Sequence, residues 1–446
     1  MSAPSRSPFA VRDFRLLWLG EAISTLGDQF AMIALPWLAL LLTGSPLVLG
    51  AVMATMAVPR AVLMVVGGAY VDRLSPRRVM LASNAVRLVA VTGLGVLVLA
   101  GAAEIWMLFL FALAFGIADA FFFPAQTAMV PELVSGEQLQ KANGLVQGTA
   151  QLSQLVGPAL AGVAIALLGT GAGSPGQAGV AAALLVDGLT FVASLVTLML
   201  ITNRPGHAAS DGSVVHQIAE GVRFVWRAPA LRLVMGLSML ANLLIVGPFE
   251  VGLPVLAYSR LPEGAAAFGL MSSAFGGGSL LGMAAAMMLP ALPPARFGPI
   301  MMLLISLAGL SAAATGLVYT TAVAVVISVL IGLFLGYTNL TFMSWVQRRI
   351  PRQLMGRVMS LMMFSSLALT PISMAVAGAV VTISLTGTFA VAGLGMAGLA
   401  LLSLLSGTIR RMGLEPTVAD GKPETTDGPF AAEISTSEAA AAATRG

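Results

Sequence analysis

The chain has 446 residues, of which 58% are hydrophobic and only 9% are charged, and its mean hydropathy is +0.93. Soluble domains carry roughly 25% charged residues, so this composition excludes a soluble globular protein and predicts one that is solvated by lipid. The absence of cysteine excludes disulfides, thiolate metal sites and cysteine nucleophiles. The net charge of +4 is spread over short loops and forms no patch of the kind that binds nucleic acid.

Twelve apolar stretches are long enough to cross a bilayer as helices, which takes about 20 residues each. We predict spans at residues 14–43, 46–71, 79–101, 105–128, 142–168, 179–202, 231–258, 265–290, 297–318, 321–346, 356–383 and 386–409. The first stretch is too long for the core of a cleavable signal peptide, which has about 7–15 residues. The sequence therefore predicts an all-α polytopic membrane protein that retains its first span.

Positively charged residues are distributed very unevenly between the two sides of these spans. If both termini lie on one side, the other side holds a single loop lysine or arginine, Arg260, while Arg60 and Arg87 fall within spans. All the others belong to the side of the termini, which is the pattern of a cytoplasmic face. We therefore expect both termini to be cytoplasmic.

The longest internal connection, at residues 203–230, divides the spans into two sets of six. It begins as a polar linker and continues as a short amphipathic helix at 217–227, whose Phe224 and Trp226 suit the lipid headgroup level. Weak repeats between the two sets are typical of transporters with two six-helix halves. We expect an N-terminus at 1–13, one half at 14–202, the linker at 203–230, the second half at 231–411 and a disordered tail at 412–446.

Seven charged residues are predicted inside the spans, where each costs about 2.5–3.5 kcal/mol on insertion scales. They are Glu21 and Asp28 on span 1, Arg60 on span 2, Arg87 on span 3, Asp119 on span 4, Asp187 on span 6 and Glu250 on span 7. Because such residues are hard to tolerate against lipid, we expect them to pair, to be protonated or to line a wet cavity.

Helical rise places Asp28 about 20 Å, and Arg60 about 18 Å, from the cytoplasmic ends of their spans, so both lie near the midplane. Two interpretations stay open for Asp28. It is either a proton acceptor on a polar face of span 1 that Glu21 and Ser24 share at helical spacing, or one partner in a structural ion pair with Arg60. The first interpretation makes Asp28, Glu21 and Arg60 the proton-coupling group.

The other intramembrane charges suggest a pair and a broken helix. Arg87 and Asp119 reach comparable depth on spans 3 and 4, which favours a structural ion pair or part of a gate network that reaches Arg77. Glu250 lies between two prolines, so span 7 can break beside a carboxylate, and broken helices are tolerated where they border a cavity. We expect Glu250 and Asp187 to contribute to a substrate cavity; for Glu250, a hydrogen-bonded bystander role stays open.

The turn between spans 2 and 3 carries a charged motif. Residues 67–79 read Gly-Gly-Ala-Tyr-Val-Asp-Arg-Leu-Ser-Pro-Arg-Arg-Val. This resembles the signature after the second helix of the major facilitator superfamily, the twelve-helix secondary transporters, which usually have Gly in place of Ser75. The resemblance implies two pseudo-symmetric six-helix halves. We expect the motif residues Gly68, Asp72, Arg73, Arg77 and Arg78 to form a cytoplasmic gate; a role as a topology anchor stays open. Arg357, at the start of span 11, is predicted to belong with Arg87 and Asp119 to a gate or a structural ion pair.

Span 5 contains Gly157, Pro158 and Gly162, in a segment that resembles the superfamily's antiporter signature, Gly-x-x-x-Gly-Pro-x-x-Gly-Gly. Ser153 and Ala161 replace two of its glycines. In the family this signature accompanies exporters, whereas a face of small residues for helix packing predicts the same amino acids. Both interpretations stay open.

Other segments resemble the branch of the superfamily that contains bacterial macrolide-efflux proteins and enterobactin exporters. They include Leu26-Gly27-Asp28, residues 116–125 and Gly356-Arg357-Val358. The resemblance implies export of drugs, macrolide-like compounds or siderophores across a bacterial inner membrane in exchange for protons. It also implies a cavity lined by spans 1, 4, 7 and 10, to which Asn339, Thr338 and Ser344 would contribute. Many proton antiporters carry an arginine on span 4 at the position of Ala112, so coupling here falls to Asp28, Glu21 and Arg60.

The sequence lacks the residues that ATP hydrolysis or a histidine-based site in the membrane would require. The chain has no Gly-x-x-x-x-Gly-Lys-Ser/Thr loop for ATP, and both histidines lie in the linker, away from any membrane-embedded site. We expect a transporter and no enzyme, a monomer without metal or cofactor, whose partners are a small-molecule substrate, protons and the lipid bilayer. The alternatives are a facilitative or importing carrier and a non-transporting membrane scaffold or sensor on the same fold.

Overall fold

The computed structural model describes residues 7–71, 75–169, 176–202, 229–350 and 355–414. In these ranges the chain is helical throughout its regular structure and contains no strand. The predicted amphipathic helix of the linker, Asp72 and Arg73 of the gate motif, and the predicted disordered tail beyond residue 414 lie outside the described residues. The first three residues of that predicted tail, Met412–Leu414, form a 3-10 helix.

Six long helices form the N-terminal half. They are α1 (Arg12–Thr43), α2 (Pro46–Val71), α3 (Pro76–Leu99), α4 (Ile105–Leu133), α5 (Gly136–Leu168) and α6 (Gln177–Leu200). Helix α5 begins six residues earlier than predicted, because Ser135 and Gln138 form a capping box that starts the helix at Gly136.

The C-terminal half repeats this pattern with two interrupted helices. Helix α7 consists of Pro229–Gly247, a π-helical turn at Pro248–Gly252 and Leu253–Arg260, and α11 consists of Met355–Ala368 and Thr370–Ile383. The others are α8 (Ala265–Met288), α9 (Phe297–Thr315), α10 (Thr321–Gln347), α12 (Leu385–Ser403) and the short α13 (Gly407–Arg411). Twelve helices of the described ranges are long and apolar enough to cross a membrane, so the prediction of a polytopic all-α protein is confirmed.

Contacts between the halves follow a pseudo-twofold pattern. Helix α5 packs on α8 and α2 packs on α11, and exchanging the halves converts one pair into the other. Glycines permit both contacts: the backbones of Gly162 and Gly269 meet between α5 and α8, and those of Gly50 and Gly378 meet between α2 and α11. A side chain at any of these positions would overlap the opposing backbone, as is typical of membrane helices that pack through small residues.

The apolar cores reveal which end of the molecule is closed. One core, with Leu38, Phe115, Leu256 and Phe389 among its members, combines residues of both halves, and it lies at the end opposite the termini. At the terminus-bearing end, the N-terminal half has its own core around Phe14 and Met129. The C-terminal half has another around Trp345. In the described residues the two halves share an apolar core at the far end, whereas each half has a core of its own at the terminus-bearing end.

Candidate functional site

A cluster of charged side chains lies inside the N-terminal half and is centred on Asp119 of α4. Asp119 forms an ion pair with Arg87 of α3, and its Oδ2 lies 3.9 Å from Nη1 of Arg60 on α2. The predicted Arg87–Asp119 pair is therefore present. One carboxylate thus serves two guanidinium groups from two neighbouring helices.

Aromatic rings surround Arg87, whose exposed fraction is only 1%. Its guanidinium carbon lies 4.3 Å from the ring centroid of Phe122, 5.3 Å from that of Phe115 and 5.8 Å from that of Phe191. Cation–π attraction to these faces offsets part of the cost of removing the charge from water. The Phe121-Phe122-Phe123 run of α4 also supplies a ring for Arg60, at 4.8 Å.

The alternative ion pair between Asp28 and Arg60 is not formed. Among the described residues no guanidinium lies within 4.0 Å of Asp28, and its Oδ1 is buried without a hydrogen-bond partner. Asp28 still lies in electrostatic range of Arg87, Asp119 and Arg60. The residue as a whole is partly exposed.

Glu21 lies two turns before Asp28 on α1 and is buried. Nε2 of Gln126 on α4 donates to its Oε2 at 2.6 Å, while its Oε1 has no partner in the described part of the chain. Gln126 was not predicted from the sequence. The sequence did contain a signal for it, since Gln126 is a polar residue one turn beyond the phenylalanine run on a mostly apolar span.

Asp187 of α6 is fully buried, with an exposed fraction of 0%, and its Oδ1 packs against Gly27 of α1. Its predicted role in a substrate cavity stays a prediction.

Glu250 lies in the π-helical turn of α7, so the predicted break beside a carboxylate is present. Arg60 is in electrostatic range of Glu250, which makes Arg60 a neighbour of acids in both halves. The turn itself depends on a residue that the sequence did not reveal. Ser373 of α11 inserts its hydroxyl into α7: its Oγ donates to Leu243 O at 2.6 Å and accepts from Gly247 N at 2.7 Å.

The gate motif is only partly described. Gly68 lies within α2 and Arg357 within α11, and the side chain of Arg357 is not among the described ones. Among the described residues Arg77 forms no ion pair with Asp119. Its Nε and Nη2 donate to Leu198 O and Met199 O, each at 2.7 Å, so Arg77 caps the end of α6. Arg78 is exposed.

The α5 motif lies on two helix contacts. Gly157 packs against the Gln29 side chain of α1, and the carbonyl of Pro158 approaches Gly269 of α8. Gly162 meets α8 directly. The motif therefore connects α1 to the contact between the halves.

The polar residues predicted on α10 make no contact with the charged cluster that would mark them as a substrate site. Thr338 Oγ1 donates to Phe334 O at 2.7 Å and Ser344 Oγ donates to Leu340 O at 2.9 Å, both within the helix. Asn339 is exposed. A groove of about 920 Å³ lies at the terminus-bearing end of α8 and α10, with Tyr337, Ser344 and Arg348 in its wall.

In the described ranges no group of three histidine, cysteine or acidic residues is arranged to hold a metal ion. The charged cluster is instead a set of carboxyl and guanidinium groups on transmembrane helices. The sequence matches the family model of the Major Facilitator Superfamily over residues 17–374. The chain belongs to this superfamily.

Relatives extend over nearly the whole sequence. The multidrug efflux pump Tap of Mycobacterium tuberculosis is 25% identical over 414 residues, which cover 92% of this chain and 96% of Tap. Macrolide efflux protein A of Streptococcus pyogenes is 29% identical over 148 residues, or 33% of this chain and 36% of that protein. A bacterial homologue of the iron transporter ferroportin in an inward-facing state has a TM-score of 0.65 at 19% identity, covering 88% of this chain and 98% of the other, which establishes the shared fold.

Proposed function

We propose that this protein is a proton-coupled exporter of amphipathic small molecules that works by alternating access, as a monomer and without ATP. Both termini are cytoplasmic in the proposed orientation, because the basic loop residues collect at that end and favour the cytoplasmic face. Similarity to relatives named as multidrug and macrolide efflux proteins supports the export of drug-like molecules.

The observation that carries the proton coupling is a charge imbalance. Five carboxyl groups share the membrane interior with two guanidinium groups, and both guanidiniums are already directed at Asp119. Ionising every remaining carboxyl would leave several uncompensated charges at low dielectric, which is strongly unfavourable. Bound protons remove that cost, so the cluster is suited to take up and release them.

Arg60 offers a physical link between this cluster and movement of the halves. It lies 3.9 Å from Asp119 on α4 and is in electrostatic range of Glu250 on α7. Protonation of one acid weakens its attraction for Arg60 and shifts the guanidinium towards the other. A change in proton occupancy can thereby favour one relative position of the two halves.

Inverted bacterial membrane vesicles provide the test. Ethidium, a fluorescent rhodamine and a macrolide are offered as a panel under an imposed pH gradient, with ATP absent. We expect the wild type to accumulate at least one of them and Asp28→Asn to abolish the accumulation. Glu104→Gln is the matched control, because it removes an exposed carboxyl far from the cluster and leaves transport unchanged. A wild type that moves none of the panel contradicts the proposal.

A further inference from the structure

Asp187 is the most enclosed carboxyl group of the charged cluster, and the coupling scheme above gives it no role. None of its surface is exposed, and its Oδ2 has no hydrogen-bond partner among the described residues. The Thr190 hydroxyl lies 3.3 Å from Oδ1 and 2.7 Å from the Asp187 carbonyl, so its single proton is shared between the two acceptors. A buried carboxylate with so little hydrogen bonding is costly, whereas a protonated one is tolerated.

The contact with α1 places Asp187 directly behind the proposed proton site. Gly27 has no room for a Cβ, because Oδ1 of Asp187 and the Thr190 side chain fill that space. The next residue along α1 is Asp28. The absence of a side chain at Gly27 thus lets the carboxyl group of Asp187 approach α1 at the residue next to Asp28.

The charged groups around Asp187 come from three other helices. Asp28 approaches from α1, Arg87 from α3 and Asp119 from α4, and these are the ionisable groups in its electrostatic range. No ionisable side chain of the described part of α5 belongs to that set. Arg87 is paired with Asp119, so it does not form an ion pair with Asp187. The acid most directly linked to Asp187 is Asp28.

We propose that Asp187 is a second, internal proton-binding residue that exchanges its proton with Asp28. In the exchange the O–H bond of the Asp187 carboxylic acid breaks and a new O–H bond forms on the Asp28 carboxylate. Asp187 becomes the carboxylate, the total charge is unchanged, and no further reactant is needed. Asp28 is partly exposed and passes the proton to water, while Asp187 holds a proton away from water. This inference rests on the proposed proton coupling.

Infrared spectroscopy of the full-length protein in lipid tests the site without any transported substrate. Above about pH 6 exposed carboxyls are ionised, so the remaining carboxylic acid C=O signal reports buried acids. We expect Asp187→Asn to lose one titrating component of that signal and Asp28→Asn to lose another. Thr190→Val should shift the frequency of the Asp187 component and retain its intensity. Ser194→Ala, which removes another fully buried polar group of α6, should change nothing. An Asp187→Asn spectrum identical to that of the wild type overturns the proposal.

A transport assay distinguishes a role of Asp187 in proton exchange from a purely structural role. Asp187→Asn should make the pH dependence of gradient-driven dye accumulation shallower, because one of two linked protons is lost, while downhill dye movement continues. If Asp28→Asn abolishes coupling and Asp187→Asn keeps the wild-type pH profile, the second site is wrong and the proposed function stands. A wild type without any pH-driven transport overturns the proposed function, and with it the exchange.

Discussion

Asp119 is the single carboxylate that compensates two arginines inside the membrane. The consequences for the two arginines differ, because Arg87 is enclosed by rings and α-helices whereas Arg60 is about one-third exposed. Helical rise gave the depths of Asp28, Arg60, Arg87 and Asp119 along their spans, and it correctly paired Arg87 with Asp119. It wrongly allowed Asp28 to pair with Arg60, because depth along a helix does not determine the direction in which a side chain points.

Removal of the Asp119 charge should therefore destabilise the protein mainly through Arg87. Breaking a buried ion pair by removing one partner costs about 3–5 kcal/mol, since the other charge stays buried. We expect Asp119→Asn to lower the melting temperature in detergent much more than Arg60→Gln does. The double variant Arg87→Met/Asp119→Leu should recover much of the loss. If the double variant is less stable than Asp119→Asn, the unpaired Arg87 charge is not the cause of the lost stability.

At the scale of helices, the two interrupted elements support each other. Pro248 removes a backbone donor from α7, and Ser373 of α11 occupies the gap between Leu243 O and Gly247 N. Gly247 is required there, because a Cβ would overlap the Ser373 backbone. The glycine, the prolines and Glu250 made the break in α7 predictable. The inserted serine was not predictable, because it comes from a helix more than a hundred residues away whose facing direction the sequence leaves undefined.

Ser373→Ala should straighten the break in α7. Without the hydroxyl, Gly247 N can bond to Leu243 O directly and restore the regular helical ladder. The loss in free energy of unfolding is about 1–3 kcal/mol if Gly247 N and Leu243 O stay apart, and it is smaller if they form a hydrogen bond with each other. Spin labels introduced at Tyr258 and Leu237 should report an altered distance along α7. Ser366→Ala, which removes a hydroxyl bonded within α11 itself, is the control and should leave the distance unchanged.

At the scale of the whole molecule, the partition of apolar cores defines the conformation. The shared core closes the end opposite the termini, where Trp37 of α1 also meets Tyr258 of α7 at 5.6 Å between ring centroids. The number of spans was predictable from apolar length and the placement of basic residues, and the superfamily was predictable from the resemblance of residues 67–79 to its signature. Which end of the molecule is closed was not predictable. An alternating-access protein buries different parts of the same helix faces in each state, and one sequence encodes both states.

The glycine contacts at the closed end should control how readily it opens. Gly50→Val places a side chain against Gly378 and Met374 of α11, which forces the halves apart there. Because the chain has no cysteine, a single Met53→Cys reports this opening without background; Met53 is only 4% exposed in the closed state. We expect a maleimide to label Met53→Cys slowly, and faster once Gly50→Val is added. Gly93→Val is the matched control, because nothing lies within 4 Å of a Cβ there. If both glycine variants speed labelling equally, general loosening is the cause; if only Gly50→Val does so, close approach of α2 and α11 is what holds the far end shut.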